Sequence, residues 1–185
     1  IRLNGSHYKN KMLQMPVDYY DKNGEPVRMI MSGAMSLGHS MYDIYTTTYM
    51  GVDDEGNALV EAYYDTRHGG LGDPYTDEKT GATKYNYISS LYMYQQENPD
   101  CEEYLESVAT KDGTYGTSKY IGKSMLPDLD GGIGVSLEAY GVTLDIATSY
   151  RIGGYASDGT YATLMQNCNI GSYNWHVDIR NSWTA

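Results

Sequence analysis

The chain has 185 residues, enough for one domain with a sizeable core or for part of something larger. Its 24 acidic residues against 13 basic ones leave a formal net charge of −11 with no basic stripe to neutralise phosphates, which argues against nucleic acid as a partner. No apolar run approaches the ~20 residues of a transmembrane helix, so a membrane span would have to be built from strands closed into a barrel.

Tyrosine occurs 21 times and phenylalanine not at all. Tyrosine suits strands, and it suits membrane interfaces because its ring is apolar and its hydroxyl reaches water. The chain opens directly inside the strand-like Ile1-Arg2-Leu3-Asn4-Gly5-Ser6-His7-Tyr8, with no Met and no signal peptide, and stops at Trp183-Thr184-Ala185 without a closing element. Those ends predict an excised or processed piece, although a mature secreted protein starts the same way.

In chain order, residues 1–14 alternate loosely as a strand until Met15-Pro16 breaks the ladder. A turn-rich connection over 21–26 leads to a short strand over 27–32. Residues 41–50, β-branched and aromatic, read as a strand, 51–57 as its turn and 58–64 as the return. That turn carries Asp53, Asp54, Glu55 and Asn57, all oxygen donors. It lacks the alternating ligands and the twelfth-position Glu of an EF-hand, so it reads as a plain turn. From 65 to 83 the composition shifts to Gly, Asp, Thr and Lys, a long loop. Residues 85–94 are aromatic and strand-like. A short helix is predicted over 99–109, with Asp100 as N-cap and Glu103 at the capping-box position, before loop returns over 110–118.

The clearest signal lies at 130–154. Ile133, Val135, Leu137 and Ala139 fall on one face of a period-2 strand, with Gly132, Gly134, Ser136 and Glu138 on the other. Tyr140-Gly141 leaves room only for a tight turn. The alternation then resumes with Val142, Leu144, Ile146, Thr148, Tyr150 and Ile152 against Thr143, Asp145, Ala147, Ser149, Arg151 and Gly153. The second strand reaches the roughly 9 to 11 residues that a bilayer-spanning strand needs. A soluble sandwich produces the same alternation, with its apolar face in a core. The mixture of Glu138, Asp145 and Arg151 with Gly and Ser on the polar face leans towards a water-filled lumen.

After a polar connection over 155–160, residues 161–165 fit either a strand or a single helical turn. Residues 174–183 close the chain, with His176 and Asp178 on one strand face as a hydrogen-bonded surface pair in preference to a metal or acid–base site. Cys101 and Cys168 have no metal-ligand spacing, and a disulfide and two free thiols both fit. His-Glu-x-x-His, Gly-x-Ser-x-Gly and a phosphate loop are all missing, so neither an enzyme nor a cofactor is expected.

Several stretches together resemble the SusC/RagA family of TonB-dependent outer-membrane receptors. They are Leu3-Asn4-Gly5-Ser6-His7-Tyr8-Lys9-Asn10-Lys11, then Gly38-His39-Ser40-Met41-Tyr42-Asp43-Ile44-Tyr45 leading to Gly51-Val52-Asp53. Further on come Thr117-Ser118-Lys119-Tyr120-Ile121-Gly122-Lys123-Ser124-Met125-Leu126-Pro127, Gly131-Gly132-Ile133-Gly134 and Tyr150-Arg151-Ile152-Gly153-Gly154-Tyr155. The last is Trp175-His176-Val177-Asp178-Ile179, with Trp183-Thr184. Residues 65–110 match least, and the family's usual Phe is absent at Ile44, Ile133 and Val142.

The resemblance implies an all-β fold: an antiparallel transmembrane β-barrel segment with long extracellular loops and tight periplasmic turns. Residues 1–185 would form part of a roughly 22-stranded receptor barrel, an incomplete barrel from which the plug and final strands are absent. It implies import of oligosaccharide or peptide across the outer membrane of a Gram-negative, Bacteroidota-like bacterium. The implied partners are membrane lipid, a SusD-like surface lipoprotein as lid, and TonB through the missing N-terminal region. Tyr63, Tyr64, Tyr85, Tyr87 and Trp175, together with Trp183, are the rings that could stack on a sugar. The alternative reading is a secreted soluble β-sheet module that binds carbohydrate.

Overall fold

Two strands of equal length dominate the molecule. In the computed structural model, which describes residues 1–20, 24–28, 35–77, 81–166, 171–172 and 174–182, Leu129–Ala139 and Val142–Ile152 are each 11 residues long. The chain divides into two units, Ile1–Tyr45 with Tyr120–Ala156, and Thr46–Lys119 with Ser157–Ala185.

In the first unit, β1 (Arg2–Ser6) is followed by the short pair β2 (Val17–Tyr20) and β3 (Pro26–Arg28); β4 (Asp43–Thr47) pairs with β10 (Ser118–Ser124), and each of these two strands has residues in both units. The two long strands are β11 and β12, and with β1 they make an antiparallel sheet in the order β1-β11-β12. The register is the one the alternation predicts: Leu137 faces Leu144, Val135 faces Ile146 and Ala139 faces Val142, while Ser136 faces Asp145 and Glu138 faces Thr143. A slip of one residue would have exchanged the two faces. Tyr140 and Gly141 have φ of 53° and 78°, the positive values that a two-residue hairpin turn of type I′ requires at both positions.

The strand expected over 1–14 pairs only as far as Ser6, whose partner Asp130 stands at the start of β11. Beyond it the chain is held from the side: Met12 N–H donates to the His39 carbonyl at 2.8 Å, and Gly38 N–H donates to the Met12 carbonyl at 2.9 Å. His39 in turn stacks on Tyr120 with ring centroids 3.7 Å apart. Residues 29–32 of the strand predicted over 27–32 lie outside the described residues.

The second unit is built on β5 (Tyr49–Val52), β6 (Ala58–Asp65) and β9 (Leu105–Thr110), in the order β5-β6-β9. The strand expected over 41–50 is thus broken at Thr48. There the Thr48 carbonyl accepts from Glu61 N–H at 2.9 Å, and the β5–β6 register shifts between Tyr49 and Gly51. The long loop expected over 65–83 contains a 3-10 turn, Thr66–His68, and a small hairpin of β7 (Pro74–Thr76) with β8 (Thr83–Tyr85).

Two expectations fail between residues 85 and 110. The strand over 85–94 ends at Tyr85 and gives way to a helix, α1 (Leu91–Glu97), because Ser90 caps it, its Oγ accepting from Met93 N–H at 3.4 Å. The helix over 99–109 shrinks to a 3-10 turn, Cys101–Tyr104. Asp100 makes no side-chain cap there, and from Leu105 onward the backbone pairs with β6 instead. Local capping propensity lost to a sheet edge that needed a partner. A second short helix, α2 (Gly159–Leu164), resolves the ambiguity over 161–165 in favour of a helix, and Val177–Asn181 is a 3-10 turn rather than a strand.

The core is small. Among the described residues, the buried apolar side chains are Met15, Ala62, Ile88 and Cys101. The sizeable apolar core that this length allows is missing from them.

Candidate functional site

Two features carry chemistry, one in each unit. The first is the two-faced sheet. On its apolar side Leu137, Leu144 and Ile146 are 56%, 51% and 50% exposed, and Ile133, Val142 and Ile152 are exposed as well. On its polar side Ser136, Glu138, Thr143, Asp145 and Arg151 are exposed. These six exposed aliphatic side chains make an apolar surface of the kind that proteins use to meet lipid or another protein.

Near the end of the sheet away from the turn, Tyr150 lies over its register partner Gly131 and extends its hydroxyl to the Asn4 carbonyl on β1, at 3.0 Å. A Cβ on Gly131 would collide with that carbonyl and stand 2.6 Å from the tyrosine oxygen. The glycine is therefore what lets one ring span three strands.

The second feature is a buried polar hub in the other unit. β5 follows β6 only as far as Val60, leaving the same edge of β6 unpaired beyond it. Residues from elsewhere in the chain take over, through backbone and side-chain groups alike. Thr117 N–H donates to the Glu61 carbonyl at 2.9 Å, and Tyr63 N–H donates to Thr117 Oγ1 at 2.7 Å. Ile88 N–H donates to the Tyr63 carbonyl at 2.9 Å. Asp65 N–H donates to Asn86 Oδ1 at 3.1 Å, while Asn86 Nδ2 donates back to the Asp65 carbonyl at 2.9 Å and to the carbonyls of Gly69 and Gly70. Thr117 and Asn86 thus stand in for a missing strand, which is why such polar residues are buried without penalty.

The Asp65 carboxylate, almost wholly buried, accepts from Arg67 N–H at 2.9 Å, from Arg67 Nε at 3.0 Å and from the Tyr94 hydroxyl at 2.5 Å. Burial alone would raise its pKa, but the Arg67 and Tyr94 hydrogen bonds outweigh it and hold the carboxyl at about 2. Burial and the same carboxylate push the Tyr94 hydroxyl well above the ordinary phenol range. All of these donors are committed, so the arrangement braces the loops and has no free acid or base to offer. Burial also pushes the Cys101 thiol up, which keeps it protonated and unreactive at neutral pH.

The hub fixes the aromatic residues named from the sequence. Exposure alternates from Tyr85 outward through Asn86 inward, Tyr87 outward and Ile88 inward. Tyr85 is 59% exposed, and Tyr87, 37% exposed, leans on Tyr115 with centroids 5.4 Å apart. Tyr63 and Tyr64 are neighbours on β6 and so point to opposite faces of its sheet. Tyr63 is engaged by Lys119, whose Nζ donates to its hydroxyl at 3.1 Å and to Glu61 Oε1 at 2.9 Å. The Tyr64 hydroxyl donates to Glu106 Oε2 at 2.6 Å. Trp175 is 43% exposed, next to the 3-10 turn in which His176 and Asp178 form a surface pair at 3.2 Å. Trp183 and Cys168 lie outside the described residues. Tyr85 and Tyr87 therefore form one outward-facing pair, while Tyr63 and Tyr64 have hydroxyl partners of their own.

No family model matches the chain, no curated protein matches it, and no solved structure matches it.

The sequence did not reveal Asn86, Thr117 or the Asp65–Tyr94 contact, since each acts on backbone far away along the chain. Nor did it reveal the stack of His68 on Tyr75, 4.1 Å between centroids, or Arg67 lying 4.6 Å over the Tyr104 ring. The acidic turn is the plain turn expected: Asp53 Oδ1 accepts from the N–H groups of Glu55 and Asn57, at 3.0 and 2.7 Å. Among the described residues, no group of three or more His, Cys, Asp or Glu side chains is placed to hold a metal ion.

Proposed function

We propose that the chain is a piece of the wall and external loops of an outer-membrane β-barrel importer of the SusC/RagA kind, handling oligosaccharides or peptides. In this reading β11 and β12 cross the bilayer, with their aliphatic face against lipid and their Gly, Ser and charged face towards an aqueous lumen, and the five-residue β1 pairs alongside β11. The single observation that carries it is the exposure of that aliphatic face on strands of spanning length. A soluble sandwich would seal the same side chains inside a core, and the four buried apolar residues among those described do not amount to one.

The second unit then belongs to the external loops, braced by the Asp65–Asn86 hub so that Tyr85 and Tyr87 stay turned outward towards ligand or towards a SusD-like lid. Energy would come from TonB, through a part of the receptor outside this sequence. Glu138 and Asp145 face water in this reading and do no chemistry, so replacing them with Gln and Asn leaves transport or binding nearly unchanged.

Solvent dependence tests the reading. The chain should remain in solution with native strand content only in detergent or lipid, and precipitate when the detergent is diluted away. A monomer that keeps its strand signal in plain buffer and binds oligosaccharide there would instead be the soluble carbohydrate-binding module, which the outward-facing Tyr85 and Tyr87 equally suit.

A further inference from the structure

Two groups of Asp178 compete for one nitrogen. His176 stands just before the 3-10 turn Val177–Asn181, and its Nδ1 accepts from the Asp178 backbone N–H at 3.2 Å. The same Nδ1 lies 3.2 Å from Asp178 Oδ2. A ring nitrogen bears either a lone pair or a proton, so it serves the N–H only when bare and the carboxylate only when protonated. Accepting that N–H is the role that Ser, Thr, Asn or Asp usually fills at a helix start, and histidine is the side chain that loses it by taking up a proton near neutral pH.

The ring is held on two sides, which makes the choice matter. His176 N–H donates to the Leu164 carbonyl of α2 at 3.2 Å, and the Tyr161 ring meets the imidazole at 68° with centroids 4.9 Å apart. The Tyr161 hydroxyl donates to Asp178 Oδ2 at 3.2 Å. Burial and the neighbouring carboxylate raise the pKa of that hydroxyl, so it remains a donor wherever an imidazole titrates.

We propose that His176 is a proton-operated switch in the clasp between α2 and the turn. Uncharged, the imidazole carries its proton on Nε2 and caps the turn through Nδ1, while Tyr161 holds the Asp178 carboxylate. Charged, it carries a proton on both nitrogens. Nδ1 then gives up the Asp178 N–H to water and donates to Oδ2, which comes to lie between two donors. Proton uptake thus exchanges a backbone bond for an ion pair and uncaps the turn beside Trp175. The charged or titratable groups on the two elements are Asp178 and Arg180 on the turn, and Tyr161 with the N-cap Asp158 on α2. These contacts are local, so the switch does not depend on whether the apolar sheet meets lipid or water and stands apart from the transport reading.

Nitrogen-15 NMR of the whole chain tests it, in whichever of buffer or detergent keeps the chain folded, on wild type and H176N from about pH 8 to about pH 5. At the alkaline end the His176 ring should show the Nε2–H tautomer. The Asp178 amide resonance should then move in one step as the imidazole gains its proton. Its solvent exchange, corrected for the pH dependence of an unstructured amide, should become about fivefold faster. H176N, whose side-chain oxygen caps the same N–H without titrating, should show neither change. A neutral ring protonated on Nδ1 would overturn the proposal. So would an Asp178 amide that stays flat through the titration, or an H176N chain that shows the same step as wild type.

Discussion

Tyr150 carries its phenolic end across Gly131, its register partner on the neighbouring strand, and so reaches a carbonyl one strand further on. Gly5 on β1 lies under the same ring, where a Cβ would stand 3.0 Å from the tyrosine oxygen. Gly131→Ala should therefore cost about 2–3 kcal/mol through overpacking, whereas Tyr150→Phe, which loses only the hydrogen bond to Asn4, should cost about 1 kcal/mol. Denaturant titration of both variants, followed by strand signal, checks the order. Equal effects would mean that the ring does not depend on the missing Cβ.

The hairpin turn is strained at one position. Tyr140 sits at φ 53°, a left-handed conformation that costs a residue with a Cβ about 1–2 kcal/mol and that Asn or Gly adopts readily. Because the Tyr140 side chain is fully exposed, Tyr140→Asn should raise stability by about 1 kcal/mol, read as a higher denaturant midpoint. A lower midpoint would assign the tyrosine ring a contact that outweighs the strain.

Asp65 makes the second unit acid-sensitive. Its carboxyl titrates at about 2 when folded, against an ordinary value of 3.8, so its ionised form is favoured by folding. That contribution, on the order of 2 kcal/mol, is complete above about pH 4 and is lost as the pH falls through about 2. Wild type should therefore lose stability over this window. An Asp65→Asn variant, already weaker at neutral pH, should show a shallower acid slope. Parallel slopes would remove Asp65 from the acid transition.

Replacing Asn86 by Leu keeps the branched heavy-atom outline of the side chain and deletes every bond to Asp65, Gly69 and Gly70. The stranded backbone groups should cost about 3 kcal/mol. Hydrogen exchange at the Asp65 amide is the sharpest readout, since that N–H donates to Asn86 Oδ1. Unchanged protection at Asp65 would contradict the role assigned to the side chain.

Ile146→Arg separates lipid from water on the apolar face. Against lipid, near the middle of the span, the change should cost about 2–4 kcal/mol of folding free energy, whereas on a wet surface it stays within about 0.5 kcal/mol. Asp145→Asn, one residue along on the opposite face, serves as the control with little effect. Folding into bilayers from urea measures both, and a neutral Ile146→Arg would end the transmembrane reading.

The β11–β12 hairpin was legible in the amino-acid sequence down to its register. Alternation with period two and a two-residue turn at Tyr140-Gly141 are local properties, and together they leave one pairing that keeps the aliphatic residues on one face. The plain turn at Asp53–Asn57 was legible for the same reason, because its bonds close within five residues. Tertiary structure alone decided the region from Asp65 to Thr117. There β6 outruns β5, and an edge of unsatisfied N–H and carbonyl groups recruits Asn86, Ile88 and Thr117 from distant points of the chain. The same demand draws Leu105–Thr110 into a strand against its own capping signal. Buried backbone must find partners wherever the fold supplies them, and no pattern along a short window records which residue will be near enough to serve.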